Sequence, residues 1–207
     1  MTPIFHITNV RNLAGIIGEG GLLCDSKVAA GKVGVVGIAH QHIKDRRSRR
    51  PVPVGWRGMV CDYVPFYFAP RSPMLFAIDR GIVEGYMDGQ SKVVHLVSSV
   101  ERVFKLGLPY CFSDGHAEMG PTLFFDDWNT HSDKVPWDVM ELTYWNDTPA
   151  DPDRKRRRQA EFLVHGTFPW GAVESIGVYN AVIQAEVTRI ISGPTAVPVK
   201  ICPTWYY

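Results

Sequence analysis

The pattern of apolar and polar positions predicts short strands alternating irregularly with short helices. Short alternating or apolar runs predict strands at 4–8, 93–97, 110–112, 161–164, 176–179 and 197–202, a short strand or extended turn at 22–24, and extended chain at 58–68. Apolar spacings of three or four predict helices at 10–19, 41–50, 74–83, 100–106 and 181–191, the first capped by Asn9 or Asn12. Because no βαβ rhythm is present, we expect one α+β domain over 1–207, with split, mostly antiparallel sheets and flanking helices.

A run of five cations precedes a lone glutamate and an apolar segment. The cations are Arg154, Lys155, Arg156, Arg157 and Arg158. Adjacent like charges repel each other and favour solvent, so we expect a loop or an exposed helix end. Glu161 then lies where a loop enters the strand at 161–164, beside a positive field that could hold a polyanion. The simpler interpretation is that Glu161 only neutralises the basic run.

The overall charge is small, and the cations are locally clustered. The net charge is +1 at pH 7, so attraction to nucleic acid must come from the 154–158 run and from a second basic block at 44–50. The 4 cysteines show neither a C-x-x-C pair nor the Cys/His spacing of a zinc site, so we expect reduced thiols and no metal. Without a signal-like N-terminus or a membrane-length apolar run, the expected location is cytoplasmic.

Four further features have both a structural and a functional interpretation. The glycine-rich stretch 31–37 matches neither the Rossmann nor the P-loop fingerprint, so we expect a flexible loop. His6 lies in a predicted apolar strand, where it could be a hydrogen-bonded structural residue or could bind a sugar or a phosphate. His116 lies in a predicted loop and is a functional candidate, although chance placement explains it equally well. Trp145, before the basic run, could stack a flat ring or belong to the core.

Six motifs extend from one end of the chain to the other. They are PIFHIT at 3–8, HIKDRR at 42–47, DYVPFYFAPRSPM at 62–74, HLVSS at 95–99, QAEFLV at 159–164 and WYY at 205–207. Together they resemble the DarT family, DNA ADP-ribosyltransferase toxins partnered by a macrodomain antitoxin. The resemblance implies an ADP-ribosyltransferase fold that binds NAD+ as co-substrate and transfers ADP-ribose to a base in single-stranded DNA. It also implies a DarG-like macrodomain partner, no tightly bound cofactor and no metal.

The same resemblance implies roles for individual residues. Glu161 resembles the catalytic glutamate of the family, and Arg47 resembles its catalytic arginine. The residues expected to bind NAD+ are His6, Ile7, Thr8, Gly15, Leu23, Arg47, Tyr67 and Met74. Those expected to contact DNA are Arg49, His116, Trp145, Arg154, Lys155, Arg156, Arg157 and Arg158. The segment 113–160 is expected to recognise DNA, and thymine is the expected target base, with guanine as the alternative.

The chemistry of the implied reaction requires these residue types. Cleavage of the nicotinamide–ribose bond creates an oxocarbenium-like centre, which a facing carboxylate stabilises. The same carboxylate could take the proton from the attacking ring nitrogen, and a guanidinium suits a diphosphate. An unstacked base in single-stranded DNA is the most accessible target. Two alternatives stay open: a transferase of the same fold that acts on RNA or protein, and a non-catalytic nucleic-acid-binding module in which Glu161 is dispensable.

Overall fold

Two β-sheets organise the chain in the computed structural model, which describes residues 1–31 and 34–207. The strands are β1 (Pro3–Asn9), β2 (Gly21–Leu23), β3 (Tyr63–Tyr67), β4 (Val93–Ser99), β5 (Tyr110–Ser113), β6 (Phe124–Phe125), β7 (Glu161–His165), β8 (Thr167–Pro169), β9 (Ser175–Val178) and β10 (Val199–Ile201). The large sheet has the order β10-β9-β4-β1-β3-β7-β5-β6, and β2 pairs with β8 in a small sheet. Within these residues, only β9 and β10 pair in parallel. The predicted α+β class with mostly antiparallel sheets is confirmed.

Short helices connect these strands. They are α1 (Leu13–Gly18), α2 (Asp25–Gly31), α3 (Gln41–Arg47), α4 (Pro73–Asp79), α5 (Val100–Lys105), α6 (Trp128–His131), α7 (Trp137–Met140), α8 (Arg154–Arg157) and α9 (Ala181–Ile190). At the start of α5, Ser99 Oγ accepts a hydrogen bond from the Arg102 N–H, which satisfies a free helix donor. Helix α9 joins the parallel strands β9 and β10, because parallel neighbours need a crossover connection.

Most predicted elements are present, with shifted ends. The helix predicted at 41–50 ends at Arg47, and Ser48 is its C-cap. The helix predicted at 74–83 ends at Asp79, because Gly81 follows with a φ of 64°, a left-handed conformation that terminates helices. The glycine-rich stretch predicted as a loop includes 32–33, which lie outside the described residues.

The large sheet is nearly divided between β1 and β3, a boundary called the seam below. Strand β1 pairs with β4 over its whole length, whereas one registered pair in the described chain, Phe5 with Tyr67, aligns β1 with β3. Across the seam, His6 Nδ1 lies 2.8 Å from the carbonyl oxygen of Pro65. Strand β3 continues into β7, where Tyr67 is the registered partner of Glu161. The seam therefore brings His6, Tyr67 and Glu161 to neighbouring positions.

The C-terminal WYY motif packs against the middle of the sheet. Tyr206 is buried, and its hydroxyl donates to the carbonyl oxygen of Val93 at 2.8 Å. The Trp205 ring packs edge-on against Phe5 and His95, with centroids 5.3 and 5.4 Å away. The chain end thus closes the core over β1 and β4, next to the seam.

His95 makes the stability of this core depend on pH. Its Nε2 lies 3.0 Å from the carbonyl oxygen of Pro70, and its Nδ1 lies 3.3 Å from the hydroxyl of Tyr206. Complete burial lowers the pKa of His95 from 6.5 to about 4. Between these values the unfolded chain binds a proton that the folded chain excludes, so acid favours unfolding.

We expect His95 to remove up to about 3 kcal/mol from the free energy of unfolding as the pH falls from 7 to 4. Urea denaturation at several pH values measures this loss. The variant His95→Asn should flatten the curve, whereas His42→Asn, which changes an exposed histidine, should leave its slope unchanged. If the free energy of unfolding fell equally with pH in the wild type and in His95→Asn, His95 would not be the source of the pH dependence.

Candidate active site

A cavity of about 400 Å³ lies at the seam. Its walls come from β1, α1, β2, the segment 34–40, α3, β3, α4 and the chain that enters β7. The lining includes every residue that the family resemblance assigns to NAD+: His6, Ile7, Thr8, Gly15, Leu23, Arg47, Tyr67 and Met74. Glu161, His116 and Lys155 also line it. Residues scattered along the chain thus face one space.

Glu161 is held rigidly at the start of β7. The residue is 1% exposed, and its backbone N–H donates to Ser113 Oγ at 3.1 Å. Its Oε1 accepts from the Ala117 N–H at 2.9 Å and from Arg47 Nη1 at 3.1 Å, whereas Oε2 accepts from Arg47 Nη1 at 2.8 Å. Because a carboxylate oxygen can accept two hydrogen bonds, Oε2 keeps acceptor capacity for a ligand hydroxyl.

Arg47, the last residue of α3, is the main partner of Glu161. Burial by itself disfavours the charged guanidinium, but the charge and hydrogen bonds of Glu161 raise the pKa of Arg47 above its ordinary value. The Nη2 atom is buried, and no hydrogen-bond partner for it exists in the described part of the chain. A buried unpaired donor is costly, so this atom marks a position for an acceptor that a ligand supplies.

His6 and Tyr67 form an uncharged part of the wall beside this pair. Burial lowers the pKa of His6, and the Pro65 carbonyl accepts its Nδ1–H, so Nε2 is left as an acceptor. Burial also raises the pKa of Tyr67, and its hydroxyl lies 3.9 Å from Met74 Sδ. Tyr67 therefore keeps its proton and offers a flat aromatic surface.

Asn12 links two walls of the cavity, which sequence analysis missed. Asn9 caps the first helical turn, and the side chain of Asn12 makes no capping bond. Instead, Asn12 Oδ1 accepts from the Val36 N–H at 2.8 Å, and its Nδ2 donates to the Val36 carbonyl and to Thr8 Oγ1, both at 3.0 Å. Asn12 thereby fixes the segment 34–40 against β1. An asparagine at a helix start is typical of a cap, so the pattern hid this contact.

The basic run is used largely inside the protein. Arg154 and Arg157 pair with Asp151, and Arg156 pairs with Asp114 and Asp153. Arg158 is 4% exposed, and its guanidinium donates to four backbone carbonyls. These belong to Arg71, Val139, Met140 and Leu142. The expectation of a solvent-exposed run is therefore wrong for Arg158 and only partly met by its neighbours; Lys155 is exposed.

The other residues expected to contact DNA also include one buried residue and others that are exposed or line the cavity. Trp145 is 5% exposed, its Nε1–H donates to the Tyr207 hydroxyl at 2.8 Å, and its ring packs on Phe76. Trp145 is a core residue, so the expectation that it stacks on a base is wrong. Arg49 is exposed after α3, and His116 lines the cavity close to Glu161.

Two general features of the described residues, 1–31 and 34–207, complete the picture. No group of three or more His, Cys, Asp or Glu side chains among them could hold a metal ion. None of their helices combines the length and the apolar character that crossing a membrane requires.

Comparison with known proteins identifies the family. The family model described as "ssDNA thymidine ADP-ribosyltransferase, DarT" matches residues 5–207. The chain belongs to the DarT family. A DNA ADP-ribosyl transferase of Thermus sp. (strain 2.9) is 41% identical over 209 residues, which span 100% of this chain and 96% of that protein. The family membership and the ADP-ribosyltransferase fold expected from the motifs are confirmed.

Two solved structures of a DarT protein match the whole chain. Thermus sp. 2.9 DarT in complex with ADP-ribosylated ssDNA superposes with a TM-score of 0.91 at 39% identity and covers 100% of this chain and 96% of that one. Thermus sp. 2.9 DarT in complex with NAD+ superposes with a TM-score of 0.88 at 38% identity and covers 100% and 98%. The cavity at the seam therefore lies in a scaffold shared with a relative whose solved structures contain NAD+ and ADP-ribosylated ssDNA.

We expect Asn12→Ala to weaken NAD+ binding about tenfold, because losing the bonds to Val36 and Thr8 costs roughly 1–2 kcal/mol. Titration calorimetry measures the Kd. The control is Asn180→Ala, another asparagine, whose Oδ1 accepts from the Ile183 N–H at 3.0 Å at the start of α9, where neither residue lines the cavity. Asn180→Ala should lower the Tm and leave the Kd for NAD+ unchanged. Equal Kd values for the Asn12 variant and the wild type would show that the contact of Asn12 with the segment 34–40 does not contribute to NAD+ binding.

We expect Arg158→Ala to destabilise the fold by about 3 kcal/mol or more, because it leaves several buried carbonyls without donors. Urea unfolding measures the loss. Lys155→Ala, on the exposed side of α8, should change stability by less than about 0.5 kcal/mol. A fully stable Arg158→Ala variant that binds single-stranded DNA more weakly would instead support the DNA contact that the sequence analysis expected of Arg158.

Proposed function

We propose that this protein transfers ADP-ribose from NAD+ to the base of thymidine in single-stranded DNA, with Glu161 as the catalytic carboxylate. As a DarT family member, the chain is an NAD+-dependent DNA ADP-ribosyltransferase. The family description supports thymidine as the acceptor. The observation that carries the assignment of Glu161 is its geometry: a buried carboxylate, fixed by Arg47 and Ala117, in the wall of the cavity at the seam.

The first step is cleavage of the bond between the ribose carbon and the nicotinamide nitrogen. The bonding electrons leave with nicotinamide, which becomes neutral, and positive charge develops on the ribose. Glu161 Oε2 has acceptor capacity for a ribose hydroxyl and places negative charge near that centre. Because Arg47 and Ala117 fix the carboxylate beforehand, little reorganisation is needed when the charge develops.

In the second step, a ring nitrogen of the base forms a bond to the same ribose carbon. In thymidine, N3 is the ring nitrogen that carries a proton, and this proton must leave as the bond forms. Glu161 lies in the cavity wall and can accept the proton once nicotinamide has departed. The products are N-linked ADP-ribosyl DNA, nicotinamide and one proton, which balances the reaction.

Arg47 and His6 are placed to hold NAD+ for these steps. The unpaired Nη2 of Arg47 is a buried charged donor on a residue that lines the cavity, and guanidinium geometry suits a diphosphate oxygen. The neutral His6 offers Nε2 as an acceptor for a hydroxyl, and Tyr67 offers a flat face to an aromatic ring. Each residue type thus matches one part of a dinucleotide.

DNA is held near the cavity by a smaller set of cations than the sequence suggested. Arg49 and Lys155 are exposed, and Lys155 also lines the cavity. Contacts of this kind bind the phosphate backbone without reading its sequence. The base must be unstacked to enter a cavity of about 400 Å³, which favours single-stranded DNA over a duplex.

We propose that the protein acts as the toxin of a toxin–antitoxin pair in the cytoplasm, where NAD+ and DNA are both available. The family resemblance supports a macrodomain antitoxin of the DarG type as its partner. We propose that this partner neutralises the toxin by removing the modification and by direct binding. A purified macrodomain that neither removes the adduct nor binds this chain would overturn the pairing.

The test is incubation of the purified protein with NAD+ and short single-stranded oligonucleotides, read by intact mass. We expect one added ADP-ribose on oligonucleotides that contain thymidine and none on those that lack it. Glu161→Gln keeps the size of the side chain and should lower the rate roughly a thousandfold, because it removes the charge that stabilises the transition state.

Glu141→Gln, which changes an exposed glutamate, is the matched control and should retain full activity. An adduct on thymidine-free DNA would refute the base assignment. Consumption of NAD+ without any DNA adduct would point to RNA or protein as the acceptor. Undiminished transfer by Glu161→Gln would remove Glu161 from its catalytic role.

A further inference from the structure

We propose that the hairpin 50–60, which connects α3 to β3, is a second DNA-binding subsite, in which the exposed face of Trp56 stacks on a base that flanks the target thymidine. Trp56 belongs to none of the NAD+-binding or DNA-binding sets assigned above. The inference deepens the proposed function and rests on it, because it adds a contact outside the cavity for the same single-stranded substrate.

The tip of the hairpin 50–60 is fixed by its own contacts. Two backbone hydrogen bonds of 2.9 Å join its arms. At the tip, the Gly55 N–H donates to Asp126 Oδ2 at 2.8 Å, and the Tyr63 hydroxyl donates to the Arg57 carbonyl at 2.7 Å. Arg57 has a φ of 57°, a conformation that costs energy outside glycine and persists where surrounding contacts impose it. A preorganised tip loses little entropy when a ligand binds.

Trp56 presents a flat aromatic surface to solvent at this tip. It is 67% exposed, the most exposed of the 6 tryptophans. One face stacks on His165, with ring centroids 5.7 Å apart and planes 27° apart. No other ring and no cation of the described chain stacks on Trp56. A lone exposed apolar side chain is ordinary, but a ring held in place with one face open is the form that stacks on unpaired bases.

Trp56 lies on the same face of the sheet as the catalytic carboxylate. Alternate side chains of β7 share a face, so Glu161, Leu163 and His165 point to one side. Leu163 packs against Val52 of the hairpin, and His165 carries Trp56. The four residue steps from Glu161 to His165 extend about 13 Å along the strand. A strand with bases spaced about 3.4 Å apart covers that distance in about four nucleotides, and an extended strand needs fewer.

Arg50 connects the hairpin to the cavity wall. Its Nη2 donates to the carbonyls of Gly120 and Thr122, at 3.1 and 3.2 Å, in the segment that follows β5. The same segment donates the Ala117 N–H to Glu161 Oε1 at 2.9 Å. The hairpin and the wall that holds the catalytic carboxylate are therefore one connected unit, and a base stacked on Trp56 has a fixed distance to the cavity.

The charges around the tip favour a single strand of DNA held mainly by stacking. Arg49 and Arg57 are exposed, and neither makes an ion pair or a side-chain hydrogen bond within the described residues, so both are available to phosphates. Asp126 beside the tip opposes this attraction. Duplex DNA keeps its base faces stacked on each other, whereas a single strand can turn one face onto the ring.

The first measurement is the Kd for oligonucleotides that carry one thymidine between five deoxyadenosines on each side, read by fluorescence anisotropy. In a series of these, an abasic residue replaces one flanking deoxyadenosine at a time. We expect one flanking position at which the abasic residue raises the Kd of the wild type about tenfold, because a stacked base is lost. In Trp56→Ala, the same abasic residue should change the Kd less than twofold, because no ring remains to stack on it.

Two further variants control this cycle. Trp56→Phe keeps an aromatic ring and should retain the sensitive position. Ile201→Ala removes an exposed apolar side chain from β10, at the far edge of the large sheet, and should behave as the wild type. Equal effects of every abasic position in the wild type and in Trp56→Ala would overturn the proposal. A wild type that dimerises in ultracentrifugation through Trp56, with unchanged DNA binding in Trp56→Ala, would assign the ring to a contact between two copies and would also overturn it.

The second measurement is the salt dependence of the Kd, which separates stacking from charge. Arg57→Gln should reduce the slope of log Kd against log salt by about 0.7, the value for one phosphate contact with a single strand. Trp56→Ala should weaken binding at every salt concentration and leave the slope unchanged, because stacking releases no counterion. A reduced slope in Trp56→Ala without a sensitive base position would mean that the ring acts only through neighbouring charges, and would overturn the proposal.

Turnover separates this inference from the proposed function. We expect Trp56→Ala to raise the KM for the oligonucleotide about tenfold and to change the KM for NAD+ less than twofold, because the ring lies outside the cavity lining. A wild type that modifies thymidine, together with a Trp56→Ala variant of unchanged KM, would refute the subsite alone. A wild type that consumes NAD+ without modifying DNA would refute the proposed function, and the subsite with it.

Discussion

The ion pair between Arg47 and Glu161 is the constraint on which the rest of the site depends. The two residues are 114 positions apart in the chain, and they meet only when α3, β7 and the segment after β5 are all in place. Burying two charges costs several kcal/mol per ion, so the pair is a weak source of stability. Its value is orientation: Arg47 and Ala117 immobilise the carboxylate while one oxygen keeps free acceptor capacity. Glu161→Gln also leaves the Arg47 charge without a counter-charge, but it keeps the side-chain volume and an acceptor oxygen for Arg47, which makes it the informative change at Glu161.

The seam explains why this pair lies at a cavity. A fully paired sheet would fill the space between β1 and β3 with backbone hydrogen bonds, but the strands share one registered pair in the described chain. The side chain of His6 replaces part of that pairing by bonding to the Pro65 carbonyl. The opening exposes polar groups of β1, β3 and β7 to one space, and Asn12 holds the segment 34–40 across it. The ligand site is thus a consequence of incomplete strand pairing.

The local pattern of apolar and polar residues predicted the positions of the strands and helices well, but it did not predict which of them lie side by side. Alternation located β4 and β7, and spacing located α5 and α9, because these signals lie within a few residues. The proximity of Glu161 to Arg47 came from motif resemblance, since no periodicity encodes a contact over 114 positions. The basic run was misjudged because successive residues of a helical turn point about 100° apart, so Arg158 faces inward although its neighbours do not. Trp145 was misjudged because an aromatic ring beside cations suits a core as well as a binding surface.

The burial of so much positive charge has a consequence for how DNA is bound. Arg154, Arg156 and Arg157 pair with aspartates and Arg158 is enclosed, so under the proposed function exposed residues such as Arg49 and Lys155 attract the phosphates. For single strands, the logarithm of the binding constant falls by about 0.7 for each phosphate contact when the salt concentration rises tenfold. Few contacts therefore mean that binding depends only slightly on salt. Under the proposed function, recognition then comes mainly from the fit of one unstacked base against the cavity wall that includes His116 and Glu161.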